Sequence, residues 1–164
     1  MLGTIGVVSR FWRRFARRLE RTHAAEAFTI DYNTKPKATA MLHILYVDDD
    51  KAVLDSYKLL LEMSGFRVSP YSDPDEAIRA IRDEPESFDL IFTDYNMPGI
   101  SGLDLARIVR TIRADLPVAV TSGFIDEALL AAAEAAGVRA LVPKPTPIAE
   151  LFSTIQRLMP AQLQ

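Results

Sequence analysis

From residue 43 to residue 159, short apolar runs alternate with longer segments in which apolar residues recur every three or four positions. The runs have the length of strands, and the longer segments have the period of helices. Five such pairs follow one another along the chain. Because a parallel sheet covered by helices buries both kinds of segment, the alternation predicts one α/β domain of five βα units.

Local signals place the strands and several helix ends. Pro70 interrupts the second apolar run, and because proline cannot donate a hydrogen bond to a neighbouring strand, this run is expected at a sheet edge. Asp73 and Pro74 are typical of an N-cap and a first helical residue, and Gly137 is expected to end the fourth helix. The predicted strands are residues 43–47, 66–71, 88–93, 117–120 and 138–142.

The composition excludes several kinds of site. The chain has no cysteine and only two histidines, His23 and His43, so it offers neither disulfides nor thiolate chemistry nor a histidine-rich metal site. Metals with oxygen ligands, such as magnesium, remain open. No apolar run reaches the roughly 18 residues of a membrane helix, and the N-terminus does not have the pattern of a secretory signal. We therefore expect a cytoplasmic protein.

Charge divides the chain into two parts. Residues 1–40 hold eight Lys and Arg against three Asp and Glu, a net charge of +5, whereas residues 41–164 hold eleven against nineteen, a net charge of −8. The acidic part argues against nucleic acid as its ligand, because phosphate backbones attract basic surfaces. The expected boundaries are an N-terminal extension over residues 1–40, a main domain over residues 41–160 and a tail over residues 161–164.

The extension contains a basic amphipathic segment at residues 9–27. Its aromatic and aliphatic residues recur at helical spacing, while arginines fill much of the other face. Such a helix can bind weakly to acidic lipids or to a groove on a partner protein. Residues 33–40 have linker composition, so one alternative for residues 1–40 is a loosely ordered extension without such a contact. Another is that they are upstream sequence, included because the start was assigned too early. The sequence leaves these interpretations open.

Reactive or charged side chains follow four of the five predicted strands. Ligand sites of such folds lie where the carboxyl ends of parallel strands meet. Clustered carboxylates repel one another, so a cation is implied, and Mg²⁺ suits carboxylate and carbonyl oxygens. Lys144 would supply a second positive charge, Ser122 a hydroxyl donor and Asp94 a nucleophile for a phosphoryl group. The residues at these strand ends are Asp48, Asp49, Asp50, Asp94, Thr121, Ser122, Pro143, Lys144 and Pro145.

Five short motifs lie at or near these positions, namely Leu45-Tyr46-Val47-Asp48-Asp49, Thr93-Asp94-Tyr95-Asn96-Met97-Pro98-Gly99, Ser101-Gly102-Leu103, Ser122-Gly123 and Lys144-Pro145. In this order and at these separations they closely resemble the receiver domain of two-component response regulators. The resemblance covers about residues 41–160. It implies a flavodoxin-like, doubly wound (βα)5 fold with a five-stranded parallel sheet of strand order 2-1-3-4-5. It also implies a signalling protein rather than an enzyme, which takes a phosphoryl group from a sensor histidine kinase or a histidine phosphotransfer protein and acts on an unknown downstream protein.

The resemblance assigns the acidic residues. Asp94 matches the family's phosphorylated aspartate, in the position before the methionine and proline loop. Asp48 and Asp49 match the family's acidic pair, in which the second residue is a direct metal ligand. Together with Asp94 and the backbone carbonyl of Asn96, they would hold Mg²⁺.

The resemblance also assigns the groups that contact the phosphoryl group. Ser122 matches the family's hydroxyl better than Thr121 does, because it lies five residues after Pro117 and precedes a small residue. Lys144 matches the family's lysine, and the peptide bond to Pro145 is expected to be cis. The two switch positions of the family fall on Ser122 and Leu141. Relatives have an aromatic residue at the position of Leu141, so the output route differs from the family pattern.

A haloacid dehalogenase-type phosphatase is the alternative function. That family also uses an aspartate nucleophile and magnesium on a parallel sheet, with a second aspartate two residues after the first. Asp48 and Asp50 match this spacing, but the threonine that normally follows is absent. Such an enzyme would turn over phosphoesters, whereas a receiver stops after one phosphoryl group.

Overall fold

The structure is a computed structural model that describes residues 41–159. Strands and helices alternate strictly along this range, which confirms the predicted five βα units. The strands are β1 (His43–Val47), β2 (Arg67–Tyr71), β3 (Leu90–Asp94), β4 (Val118–Ser122) and β5 (Ala140–Pro143). The helices are α1 (Lys51–Met63), α2 (Pro74–Asp83), α3 (Gly102–Ile112), α4 (Glu127–Ala136) and α5 (Ile148–Leu158).

The strands form one parallel sheet in the order β2-β1-β3-β4-β5. This order confirms the predicted flavodoxin-like topology. Strand β2 lies at an edge, as Pro70 predicted. The three inner strands are buried along their whole length, because helices cover the sheet on both faces.

Two apolar layers hold the helices on the sheet. Successive strand residues point to opposite faces, so each strand contributes to both layers. Leu45 and Ile91 belong to the layer that includes residues of α2, α3 and α4. Ile44 and Phe92 belong to the layer that includes residues of α1 and α5. Packing on both faces fixes the strands, so side chains at their carboxyl ends start from fixed positions.

Two predicted helix ends are confirmed. Asp73 is the N-cap of α2, where its side chain accepts a hydrogen bond from the Asp75 N–H at 2.8 Å, and Pro74 is the first helical residue. Gly137 ends α4 with a φ of 79°. Glycine tolerates this left-handed conformation because it has no Cβ.

The described range also bears on the membrane question. Within residues 41–159, no helix is long and apolar enough to cross a membrane. The extension over residues 1–40, its amphipathic segment at residues 9–27 and the tail over residues 161–164 lie outside the described residues. The interpretations of those segments therefore stay predictions.

Gly102, the first residue of α3, packs directly against the end of β3. Its N–H donates to the Tyr95 carbonyl at 3.0 Å, and a Cβ at this position would overlap the carbonyl oxygen of Asp94. We therefore expect Gly102→Ala to lower the free energy of unfolding by about 1–3 kcal/mol, the usual effect of overpacking. Urea unfolding measures it. Gly123→Ala is the matched control, because a Cβ at Gly123 meets nothing within 4 Å, and an equal loss in both variants would contradict the expectation.

An acidic pocket at the carboxyl edge of the sheet

Three carboxylates converge where β1 and β3 end. Asp48 and Asp49 follow β1, Asp94 is the last residue of β3, and the two strands are neighbours in the sheet. One carboxylate oxygen from each of the three lies within 4.8 Å of the others. Asp48 and Asp94 are 1% and 6% exposed, whereas Asp49 is open to solvent. The sequence prediction that these residues meet is confirmed.

Lys144 reaches this cluster from the end of β5. Its Nζ lies 2.6 Å from Asp48 Oδ2 and 2.9 Å from Asp94 Oδ1. The peptide bond between Lys144 and Pro145 is cis, as predicted. Burial alone would lower the pKa of Lys144, but its hydrogen bonds to the two carboxylates outweigh this effect and raise the pKa. The ammonium group therefore stays charged and offsets part of the negative charge.

The charge balance of the pocket fits a divalent cation. Three carboxylates against one ammonium leave an excess of two negative charges. Both oxygens of Asp48 are already in use, since Oδ1 accepts the Asp50 N–H at 3.0 Å and Oδ2 accepts from Lys144. Asp49 and the second oxygen of Asp94 have no such contact with any of residues 41–159. An all-oxygen donor set of this kind suits Mg²⁺.

Ser122 ends β4 beside this pocket, but its hydroxyl is turned toward the following loop. Ser122 Oγ donates to the Phe124 carbonyl at 2.7 Å and accepts the Phe124 N–H at 3.3 Å. Thr121 Oγ1 instead lies 3.4 Å from the Thr93 carbonyl inside the sheet, and Thr121 is fully buried. Within residues 41–159, the two hydroxyls therefore differ in their partners, since that of Ser122 bonds to the loop after β4 and that of Thr121 bonds within the sheet.

The remaining predicted positions lie around the pocket. Asn96 is exposed in the loop after β3. Leu141 is 2% exposed and pairs with Val120 in the sheet, so it is a core residue in this conformation. Asp50 is the N-cap of α1, and its side chain accepts hydrogen bonds from the backbone N–H groups of Ala52 and Val53. Asp50 is thus committed to the helix end.

Sequence reasoning missed the part that Tyr57 plays. Its position in the apolar stripe of α1 indicated only a core residue. In the structure its hydroxyl donates to the Thr146 carbonyl at 3.1 Å, and its ring stacks on Tyr46 at 5.3 Å. Thr146 directly follows the cis proline, so this bond ties the loop that carries Lys144 to α1. A contact between residues 89 positions apart leaves no local signal in the sequence.

A parallel sheet in this strand order, with an acidic pocket and a lysine at its carboxyl edge, defines a class of receiver-type signalling domains. Residues 44–156 match the family described as the response regulator receiver domain. The chain belongs to the response regulator receiver family. Receiver domains of this family act in two-component signalling between histidine kinases and downstream effectors, and they bind Mg²⁺ in an acidic pocket. The haloacid dehalogenase-type alternative is not supported, and Asp50 is occupied as a helix cap.

Two relatives agree with this assignment. The response regulator MprA of Mycobacterium leprae is 34% identical over 119 residues, which are 72% of this chain and 51% of that protein. The putative two-component response regulator ARR21 of Arabidopsis thaliana is 34% identical over 107 residues, which are 63% of this chain and 17% of that protein. The chain thus spans about half the length of the first relative and less than a fifth of the second.

Solved structures show the same fold. A response regulator receiver domain protein from Clostridium thermocellum superposes with a TM-score of 0.70 at 28% identity, covering 73% of this chain and 95% of that chain. The chemotaxis protein CheY4 of Vibrio cholerae gives a TM-score of 0.69 at 25% identity, covering 73% of this chain and all of that chain. About three quarters of this chain therefore corresponds to nearly the whole of each of these two structures.

Proposed function

We propose that this protein takes a phosphoryl group onto Asp94, in a Mg²⁺-dependent reaction, from a sensor histidine kinase or a histidine phosphotransfer protein, and signals by changing conformation. The observation that carries the proposal is the contact of Lys144 Nζ with both Asp48 and Asp94 inside a cluster of three carboxylates. Incubation with acetyl phosphate and Mg²⁺ tests it, and intact mass is expected to show the gain of one phosphoryl group.

Each residue of the pocket has a part in the proposed transfer. A carboxylate oxygen of Asp94 attacks phosphorus, the bond from phosphorus to the donor imidazole nitrogen breaks, and the imidazole keeps the electron pair of that bond. The product is an acyl phosphate on Asp94. Lys144, already 2.9 Å from Asp94 Oδ1, pairs with a phosphoryl oxygen, and the Ser122 hydroxyl donates to another. The domain turns over no separate substrate, so we assign it to signalling and not to enzymes.

The proposed Mg²⁺ site consists of Asp48, Asp49, Asp94 and the backbone carbonyl of Asn96. When bound, the ion neutralises charge on the phosphoryl oxygens. Asp49 and Asp94 offer oxygens without another contact in residues 41–159, so they are the proposed direct ligands. Both oxygens of Asp48 already accept hydrogen bonds, so its proposed part is to orient Lys144 and to add negative charge near the ion without binding it directly.

Asp49→Ala removes a proposed metal ligand from the solvent side of the pocket. We expect the dissociation constant for Mg²⁺ to rise by about tenfold or more, because one carboxylate ligand is lost while the buried Asp48 and Asp94 remain. Titration calorimetry of the unphosphorylated protein measures it. Asp55→Ala is the matched control, an exposed aspartate on α1 outside the cluster. Equal Mg²⁺ affinity in the Asp49 variant and the wild type would remove Asp49 from the site.

We further propose that residues 41–160 are the receiver and that residues 1–40 are an extension to it. All proposed site residues and all five βα units follow Met41. A chain of residues 41–164 is expected to accept phosphate at the rate of the full chain and to melt within about 2 °C of it. Thermal melting and acetyl phosphate labelling measure this. A drop of about 10 °C or more would contradict the dispensable extension.

The proposed partners follow from the proposed reaction. The phosphoryl donor is a histidine kinase or phosphotransfer protein, and the reader of the activated form is a downstream protein whose identity the chain does not specify. We place the reaction in the cytoplasm. The amphipathic segment at residues 9–27 stays a candidate for a weak membrane or partner contact, and liposome binding by the full chain and by residues 41–164 tests it.

A further inference from the structure

The β5–α5 loop, residues 143–147, carries Lys144 and has few backbone donors of its own. Prolines have no backbone N–H, and they occupy three positions of this segment, Pro143, Pro145 and Pro147. The Lys144 N–H donates to the Ser122 carbonyl at 2.8 Å, which ties the start of the loop to β4. The Thr146 hydroxyl donates to the Pro143 carbonyl at 2.9 Å, a bond within the loop itself. Beyond Lys144, the loop therefore depends on other elements to hold it in place.

Tyr57 of α1 supplies such a bond. Its hydroxyl donates to the Thr146 carbonyl at 3.1 Å. Within the part of the chain that the structure describes, this is the one hydrogen bond between residues 145–147 and an element other than the adjoining β5 and α5. Thr146 is buried, so removing the hydroxyl takes a protein partner from a shielded carbonyl, which is costly. The Tyr57 hydroxyl is thus the tie between α1 and the segment that follows Lys144.

The ring of Tyr57 belongs to a stack of three aromatic rings. Its centroid lies 5.3 Å from that of Tyr46 at an interplanar angle of 19°, and the Tyr46 ring lies 5.9 Å from Phe92 at 22°. Tyr46 and Phe92 are buried neighbours in the sheet. Tyr46 lies two residues before Asp48 and Phe92 two residues before Asp94, and side chains two positions apart share a face of a sheet. The stack therefore sets Tyr57 in a fixed position relative to the strands that carry the buried carboxylates.

We propose that Tyr57 is a positioning residue for Lys144. Its hydroxyl fixes the β5–α5 loop, and the fixed loop keeps Lys144 Nζ 2.6 Å from Asp48 Oδ2 and 2.9 Å from Asp94 Oδ1. A lysine side chain is long and flexible, so its charge reaches one place reproducibly only when its backbone is held. The effect of Tyr57 on the rate of phosphoryl transfer rests on the proposed function, whereas its effect on Lys144 does not.

Tyr57→Phe removes the hydroxyl and keeps the ring in the stack. NMR relaxation of the full chain, without Mg²⁺ or a phosphoryl donor, measures the order parameter of the Lys144 Cε methylene. We expect this order parameter to fall by about 0.2 or more from the wild-type value, because the loop has lost its tie to α1. Equal values in the variant and the wild type overturn the proposal. Circular dichroism checks that the variant is folded.

Tyr46→Phe is the matched control for the order parameter. It also removes one hydroxyl from the stack, but the Tyr46 hydroxyl is buried without a hydrogen-bond partner among residues 41–159. Lys144 should therefore keep its wild-type order parameter in this variant. An equal fall in Tyr46→Phe and Tyr57→Phe would trace the effect to the stack in general and overturn the role of the Tyr57 hydroxyl.

The rate of labelling with acetyl phosphate and Mg²⁺ shows whether the position of Lys144 matters for transfer. Tyr57→Phe is expected to gain the phosphoryl group about threefold to tenfold more slowly than the wild type, because a misplaced charge stabilises the transferred group less. Ser64→Ala removes a hydroxyl bond to the Leu60 carbonyl at the C-terminal end of α1, away from the loop, and should label at the wild-type rate. A wild-type rate in Tyr57→Phe overturns the proposal. No labelling of the wild type overturns the proposed function instead, and the order parameters then still decide the role of Tyr57.

Discussion

Asp94→Asn is expected to abolish the phosphoryl uptake seen with acetyl phosphate and Mg²⁺. The amide of asparagine has no anionic oxygen to attack phosphorus, so the rate should fall on the order of a thousandfold or more, as when a nucleophile is removed from other sites. Intact mass over time measures it. Asparagine has nearly the same shape, so the fold should persist, and circular dichroism checks this.

The controls for this result use aspartates that differ in position. Asp55→Asn changes an exposed aspartate of α1 and should label like the wild type. Asp49→Asn should label slowly but at the same site, because it affects the proposed metal site and leaves the nucleophile in place. Labelling of Asp94→Asn at a rate comparable to the wild type, with none in Asp49→Asn, would assign the phosphoryl group to Asp49 instead.

Beryllofluoride, which stands in for the phosphoryl group on the aspartate, is expected to change amide exchange mainly over residues 122–130. The Ser122 hydroxyl has one proton, which it now donates to the Phe124 carbonyl at 2.7 Å. Donation to a phosphoryl oxygen requires that bond to break, so the loop after β4 loses a contact that holds it. Phe124 is 74% exposed, and we expect it to be the aromatic side chain of this loop that a partner contacts.

Leu141 should show little change in the same experiment. It is a buried leucine without a ring or a polar tip, so it offers a partner few contacts that differ between two rotamers. We expect the coupling between phosphorylation and the loop to be about 1–2 kcal/mol. Hydrogen exchange followed by mass spectrometry, with and without beryllofluoride, measures it.

Ser122→Ala provides the control for the hydroxyl. This variant keeps Asp94 and Lys144 and should still bind beryllofluoride, but its exchange change over residues 122–130 should be smaller than in the wild type, because there is no hydroxyl to leave the Phe124 carbonyl. A dominant change at Leu141 with none over residues 122–130 would show that the output route runs through β5.

The fold could be predicted largely from local patterns. Strand runs and helix periods repeat over distances of a few residues. Pro70 and Gly137 constrain their own backbone, so their effects can be predicted without knowing which segments they contact. Strand limits were less accurate, since β3 spans Leu90–Asp94 where residues 88–93 were predicted. Pairing with β1 and β4 sets these limits, and that pairing lies outside the local pattern.

By itself, the sequence determined the fold class and which side chains come together at the carboxyl edge, because parallel strands bring their ends to one side. Only the tertiary structure decided which polar groups bond to one another. In it, Lys144 pairs with both Asp48 and Asp94, and the Ser122 hydroxyl donates to the Phe124 carbonyl. Hydrogen bonds and ion pairs depend on ångström distances between segments of the chain, which spacing along a chain does not contain.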